Sequence, residues 1–415
     1  MLLLPLLFAL TAPATGTFRL PPGTVEITAE IRLPDGAHDL TILGGLNTVL
    51  HASSTFSGRA IFSCLHCRNL TFRGFTVDGN RNALETRQPP PPGNLAFARY
   101  FRNNALLVED SDGVTFQNLQ FRNIASFAIL VKTSQNVLIE DCSVADSGSR
   151  NASGKNNTTG GFVLEEGTGP FRILRSHFRN IRGNGAWTHS YYWALRNRDG
   201  EIGGNTFDEI GRDAIQVGRS TRVRVHDNRA RRVGFPVEVV DQDPVGIDTA
   251  GNVDNCIYEN NLLEEVDGKC IDLDGFHDGT VRANTCINRG RAAAYPYGNF
   301  GIALNNTPIV QSGNVSITGN HLEGMKFGGI FVVGSGHRIS GNQMTRLNTA
   351  HSIEAGLLES GIYLAGGAEK IDPARNLLIE NNLISGYQMA AHCLQAATTV
   401  KKSDSVIRKN ICRDE

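Results

Sequence analysis

Helical periodicity is what this chain has least of: few of its runs repeat apolar residues every 3.6 positions, and methionine is scarce, at 4 of 415 residues. That argues against a helical bundle and leaves strands and turns, which 45 glycines and abundant asparagine suit. A P-loop, a dinucleotide fingerprint and a His-Glu-x-x-His motif are all missing, so nucleotide, dehydrogenase and zinc-protease chemistry have no support in the sequence. The apolar opening, Met1 to Ala14, is too short to cross a bilayer. It closes on Ala12-Pro13-Ala14, a small-x-small pattern, although no Lys or Arg precedes it. Residues 1–14 are therefore expected to be a signal peptide that sends residues 15–415, one domain, to a secreted or periplasmic location.

What is present in quantity is a phrase, Ile/Val-x-x-Asn. It recurs at Val225–Asn228, Ile257–Asn260, Val281–Asn284, Ile317–Asn320, Ile339–Asn342, Ile379–Asn382 and Ile407–Asn410. Successive anchors are as little as 22 residues apart (Ile317 to Ile339) and 24 (Ile257 to Val281), with insertions lengthening the rest. A repeat on that scale is one coil of a parallel β-helix, in which length adds coils rather than domains. Asn is expected at the tight bend that ends each anchor strand, where it tolerates left-handed backbone and its amides hydrogen-bond from coil to coil.

A second signature precedes many anchors: Ala128-Ile129-Leu130-Val131, Ala214-Ile215-Gln216-Val217, Gly246-Ile247-Asp248-Thr249, Cys270-Ile271-Asp272-Leu273, Gly301-Ile302-Ala303-Leu304 and further copies. Period-two alternation turns Ile inward and the next residue outward, so the outward residues form a strip along the stack. The larger insertions, such as 81–104, 182–192 and 289–300, fall mostly between the ladder position and the next such strand. They are expected to stand beside the strip as a wall and make it a groove for a long ligand. Of the eight cysteines, Cys142, Cys286 and Cys412 read as core thiols. Cys64-Leu65-His66-Cys67 lacks the second ligand pair of a zinc site and reads as a local strand-and-turn feature.

Leu20-Pro21-Pro22-Gly23-Thr24, the coil signature, the Asn series and the insertions on one edge together resemble the right-handed β-helix superfamily of pectate lyases and polygalacturonases. The resemblance implies an all-β, right-handed, single-stranded parallel β-helix of about a dozen coils. It also implies an enzyme that cleaves an acidic, uronate-containing polysaccharide, as a glycoside hydrolase or a lyase. Polygalacturonases carry one Asp on one coil and a pair on the next, which Asp248 with Asp272 and Asp274 approaches. Here Leu273 separates the pair, and the Gly-His-Gly and Arg-x-Lys motifs of that family are missing.

Charge marks the same region. Thirteen arginines and six acids lie between Arg172 and Arg232, then twelve acids and Lys269 alone between Pro236 and Thr280. Asp248 on one coil and Asp272 with Asp274 on the next need a cation, a basic partner or a retained proton. A proton makes an acid–base pair for glycoside hydrolysis. A bound Ca²⁺ on Asp248, Asp272 and Asp274 would let Lys269 or His277 act as base in β-elimination. Trp187, Tyr191 and Tyr192 are expected in a loop where rings stack on sugars, Trp193 in the core, and His189 is a candidate base. Arg196, Arg212, Asp213, Gln216 and Asn305 are candidate sugar-binding groups. A nucleic acid partner is not expected beside so acidic a block, and the second functional reading is a non-catalytic glycan-binding or adhesion rod.

Overall fold

The computed structural model describes residues 10–240, 244–298, 300–353 and 356–415. Most of the expected leader lies outside the described residues. Ala12 is buried, and the Ala14 carbonyl accepts a 2.9 Å bond from the His38 N–H. The chain divides into two compact units, Met1–Arg212 and Asp213–Glu415. Each is a stack of short strands in parallel pairing, coil upon coil, as in a parallel β-helix. Among the described residues the anchor face has seven such strands in the first unit and nine in the second, where the short strands Val253–Asp254 and Phe276–His277 join the main row of seven.

In the first unit the row that continues these anchors is Phe18, Ile42, Phe72, Phe116, Ile139, Ile173 and Ile202, aligned in register. Ile42, Phe72, Phe116, Ile139, Ile173 and Ile202 are all buried, each contributing on the order of 1.5–3 kcal/mol by leaving water. Phe72 and Phe116 stack with centroids 5.4 Å apart, the direct result of identical residues occupying one row.

In the second unit the row is Val225, Tyr258, Val281, Ile317, Ile339, Ile379 and Ile407. Tyr258 replaces the expected Ile257, and the ladder residue of that coil is consequently Asn261, not Asn260. Tyr258 is fully buried, and its hydroxyl lies 2.8 Å from Thr249 Oγ1, so the larger ring fills the core with its polar tip satisfied.

The left-handed backbone also sits one residue before the ladder amide. Asp227, Asn260, Ala283, Gly319, Gly341, Asn381 and Lys409 carry the positive φ, and this corner turns the next side chain inward. The inward amides then form an unbroken chain through Asn228, Asn261, Asn284, Asn320, Asn342, Asn382 and Asn410. Asn284 shows the pattern: its Oδ1 accepts from the Asn261 backbone (3.1 Å) and amide (2.8 Å), and its Nδ2 donates to Tyr258 O and Asn320 Oδ1. The first unit fills this corner with mixed side chains, Ser176 N–H donating to Asn205 Oδ1 and Cys142 N–H to Ser176 Oγ.

Cysteine placement corrects the sequence reading. Cys64–Cys67, Cys270–Cys286 and Cys393–Cys412 are disulfides, so Cys286 and Cys412 are not core thiols, whereas Cys142 is a buried thiol. The opposed charge blocks have a partial explanation in pairing across coils: Glu259 sits between Arg224 and Arg282, and Glu264 between Arg229 and Arg289. Replacing Asn284 by Ala strands two donors of Asn261 and the Tyr258 carbonyl inside the coil. We expect a loss of about 2–4 kcal/mol in urea denaturation, and wild-type stability in that variant would show that the ladder contributes nothing.

Candidate active site

Parallel register builds the acidic patch. Gln216 lies opposite Asp248, Asp248 opposite Asp272, Asp272 opposite Ala303, and Asp274 opposite Asn305. Neighbouring strands are ~4.8 Å apart and alternate residues along a strand ~6.6 Å apart, so the three carboxylates share one small area of the outward strip. They are not washed by solvent: Asp272 is 5% exposed and Asp248 and Asp274 are half-buried. The outward row has become a covered one.

Each acid is handled differently. Asp248 accepts a 2.5 Å bond from Gln216 Nε2. Its carboxyl is pushed well up by burial, and then by the charges of Asp213, Asp272 and Asp274. Asp272 is raised by burial, opposed by the Lys269 ammonium at 2.6 Å, the Leu273 N–H at 3.1 Å and the Asn305 amide at 3.2 Å. Asp274 is pushed up to about 7 by burial and by Asp272, and its Oδ1 is buried without a hydrogen-bond partner. Lys269 therefore points at the acids and is committed to Asp272. Removing that ammonium would leave a buried carboxylate uncompensated, a change of about 3–5 kcal/mol.

Several candidate residues fall elsewhere. His277 turns away from the three acids: its Nδ1 bonds Asp278, and its Nε2 bonds Asn252 and lies 3.9 Å from Asp254. Asp213 is 2% exposed and acts on Asp248 through its charge. Gln216 and Asn305 already spend their amides on Asp248 and Asp272. The calcium expectation does not fit these residues. Among the described residues no three His, Cys, Asp or Glu side chains are placed to share an ion, and the Lys269 ammonium already supplies the positive charge at Asp272.

In the first unit the strip is apolar. Leu107, Leu130, Val163 and Trp187 align on successive strands and are buried beneath Phe97 and Phe101. Insertion 81–104 has thus packed down onto the strip instead of standing beside it. Trp187 belongs to the strand Ala186–His189 and is 6% exposed, whereas Trp193 is 59% exposed in the following loop. These two placements are the reverse of the sequence reading, because the inward positions of that strand are filled by Ala186 and Thr188. Tyr191 stacks on Trp193 at 5.5 Å, and Tyr192 is exposed. His189 ends the same strand: its ring stacks on Phe97 at 4.2 Å, and its Nδ1 lies 3.9 Å from Glu165. Glu165, missed in the sequence, is fully buried and accepts the N–H groups of Phe97 and Ala98, which fastens the insertion. Burial pushes its carboxyl up to about 7. Arg196 and Arg212 are half-buried side chains of the same unit.

With this geometry in place, comparison with known proteins is informative about class. The family described as "Right handed beta helix region" matches residues 61–247 and 161–344, and the chain belongs to that family. No curated protein sequence matches significantly. Among solved structures, the pre-mature gene product 12 of bacteriophage phi29 aligns at TM-score 0.62 and 14% identity, covering 89% of this chain and 49% of that one. The chain thus spans about half the length of that phage protein. The surface adhesin PfbA of Streptococcus pneumoniae aligns at 0.55 and 14%, covering 92% and 83%. The A-module of the mannuronan C-5 epimerase AlgE4 of Azotobacter vinelandii aligns at 0.53 and 13%, covering 95% and 91%. At these identities the similarity is one of fold.

The raised Asp274 makes a signed prediction. An unfolded Asp releases its proton near pH ~4, whereas folded Asp274 holds its proton up to about 7. Its contribution to stability is full below the unfolded value and is lost as pH rises through the folded one. Melting temperature should therefore fall between pH ~4 and ~7.5, and Asp274→Asn, which keeps the neutral shape, should flatten that slope. An unchanged slope would show that Asp274 titrates normally.

Proposed function

We propose that the chain is an exported glycan-cleaving enzyme that works by hydrolysis at Asp272 and Asp274, with residues 15–415 as the β-helix and 1–14 as its leader. The observation that carries this reading is the pair of neighbouring carboxyls in unlike environments: Asp274 raised to about 7 with an unpartnered oxygen, and Asp272 held by an ammonium, an N–H and an amide. Asp274 gives its proton to the glycosidic oxygen as the C–O bond breaks. Asp272, kept anionic by Lys269, takes the proton of the water that adds to the anomeric carbon. Elimination is disfavoured because the Lys269 amine, bound as ammonium to Asp272, is not poised to abstract a carbon-bound proton. Uronate residues are the finer substrate assignment and are tested with the rest.

Export is supported by the three disulfides, and among the described residues no helix is long and apolar enough to cross a membrane. The fold relatives include both a polysaccharide epimerase module and a surface adhesin, so a rod that grips a glycan without cleaving it is the second reading. Two observations favour it: the amides of Gln216 and Asn305 are already engaged, and Asp272 is nearly covered.

A panel of neutral and uronate-containing polysaccharides, followed for new reducing ends and for unsaturated uronate absorbance with and without chelator, separates the readings. We expect reducing ends without unsaturated products, indifference to chelator, and losses of roughly 10²–10⁴ in kcat for Asp274→Asn and Asp272→Asn. Binding without cleavage would establish the rod instead, and full turnover in both variants would move the active centre elsewhere.

A further inference from the structure

The second unit carries a basic pocket on the face next to the acids. The strands Arg229–Val233 and Leu262–Val266, with the insertion that begins at Arg289, enclose about 450 Å³. Arg229, Arg231, Arg232 and Arg289 line it against Glu264 and Glu265, giving 4 − 2 = +2. Alternation sends Arg229 and Arg231 outward on one strand, and register places Arg231 opposite Glu264 on the next.

The two acids work as organisers. Glu264 is 8% exposed and spends one oxygen on Arg229 (2.8 Å) and the other on Arg289 (3.0 Å), while the guanidinium side chains stay 60% and 57% exposed. Glu265 accepts the Tyr295 hydroxyl. The remaining wall is aromatic: Phe235 meets Tyr295 edge-on at 6.5 Å, and the Arg232 guanidinium lies 5.0 Å over the Phe235 ring. Planar guanidinium forks held at the rim of a concave site are suited to planar or tetrahedral oxyanions, and a ring beside them is suited to the apolar face of a sugar.

We propose that this pocket binds an anionic substituent, a carboxylate or a sulfate ester, carried on a glycan chain. The inference is independent of catalysis at Asp272 and Asp274, but it gives that reading a substrate feature. Lys269 lies only four positions beyond Glu265, at most ~14 Å of chain, so one polymer can reach both faces around the corner.

The test is equilibrium binding of the full chain, at low ionic strength, to fluorescently labelled oligogalacturonate, sulfated dextran oligosaccharide, neutral dextran oligosaccharide and a single-stranded DNA oligonucleotide. We expect one or both anionic sugars to bind and neutral dextran not to, and the stronger of the two identifies carboxylate or sulfate as the group. Arg231→Ala with Arg232→Ala should weaken that binding roughly tenfold or more, and Arg231→Ala alone, at an exposed position, should weaken it less without perturbing the fold. Asp274→Asn should leave it unchanged, so binding and catalysis fail separately. The proposal is overturned if neither anionic sugar binds, if the doubly substituted chain binds as wild type does, or if DNA binds in preference to both sugars.

Discussion

In-register stacking of parallel strands is the constraint on which every other feature depends. Because each coil hydrogen-bonds to the next with matched side-chain orientation, a residue type repeated at one position becomes a physical row. An apolar row makes the core, as with Phe72 and Phe116 in the first unit or Ile317 and Ile339 in the second. A row of amides inside the corner is tolerable only because each donor meets the acceptor of the next coil, and the chain from Asn228 to Asn410 satisfies that condition throughout.

The same constraint turns hazardous on the outward strip. Asp248 and Asp272 are brought opposite each other by backbone register, whatever their charges prefer. Lys269 relieves Asp272, Gln216 supports Asp248, and burial together with the residual repulsion pushes the carboxyls of Asp248 and Asp274 up. The raised carboxyls of the patch are thus a consequence of the fold's geometry. Opposite charges one strand apart have the reverse effect: Glu264 between Arg229 and Arg289 fixes a basic surface in place.

Much of this was legible in the sequence because period and row are the same information. The Ile/Val-x-x-Asn spacing located the anchor strands, and the small-Ile-x-apolar strands located Gln216, Asp248 and Asp272 in neighbouring positions. What failed did so where the pattern was ambiguous or interrupted. Asn260 and Asn261 are adjacent, so either completes the motif, and only the burial of Tyr258 decides between them. The strand Ala186–His189 has no Ile, so its inward slots, Ala186 and Thr188, carried no signal and Trp193 was assigned in their place. The disulfide Cys270–Cys286 joins a strand residue to one beyond the next corner, a proximity that periodicity alone does not report. Glu165 was invisible for a similar reason: its role depends on where insertion 81–104 lands.

Infrared difference spectroscopy across a pH titration reads the central claim directly, since it follows protonated carboxyls. The account predicts a carboxylic-acid C=O band that persists through pH ~6 and titrates near 7, and that loses its Asp274 component in Asp274→Asn while the Glu165 component remains. If every aspartate of the folded chain is ionised by pH ~5, the neighbouring coils do not force a proton onto the cluster, and the account of the site is wrong.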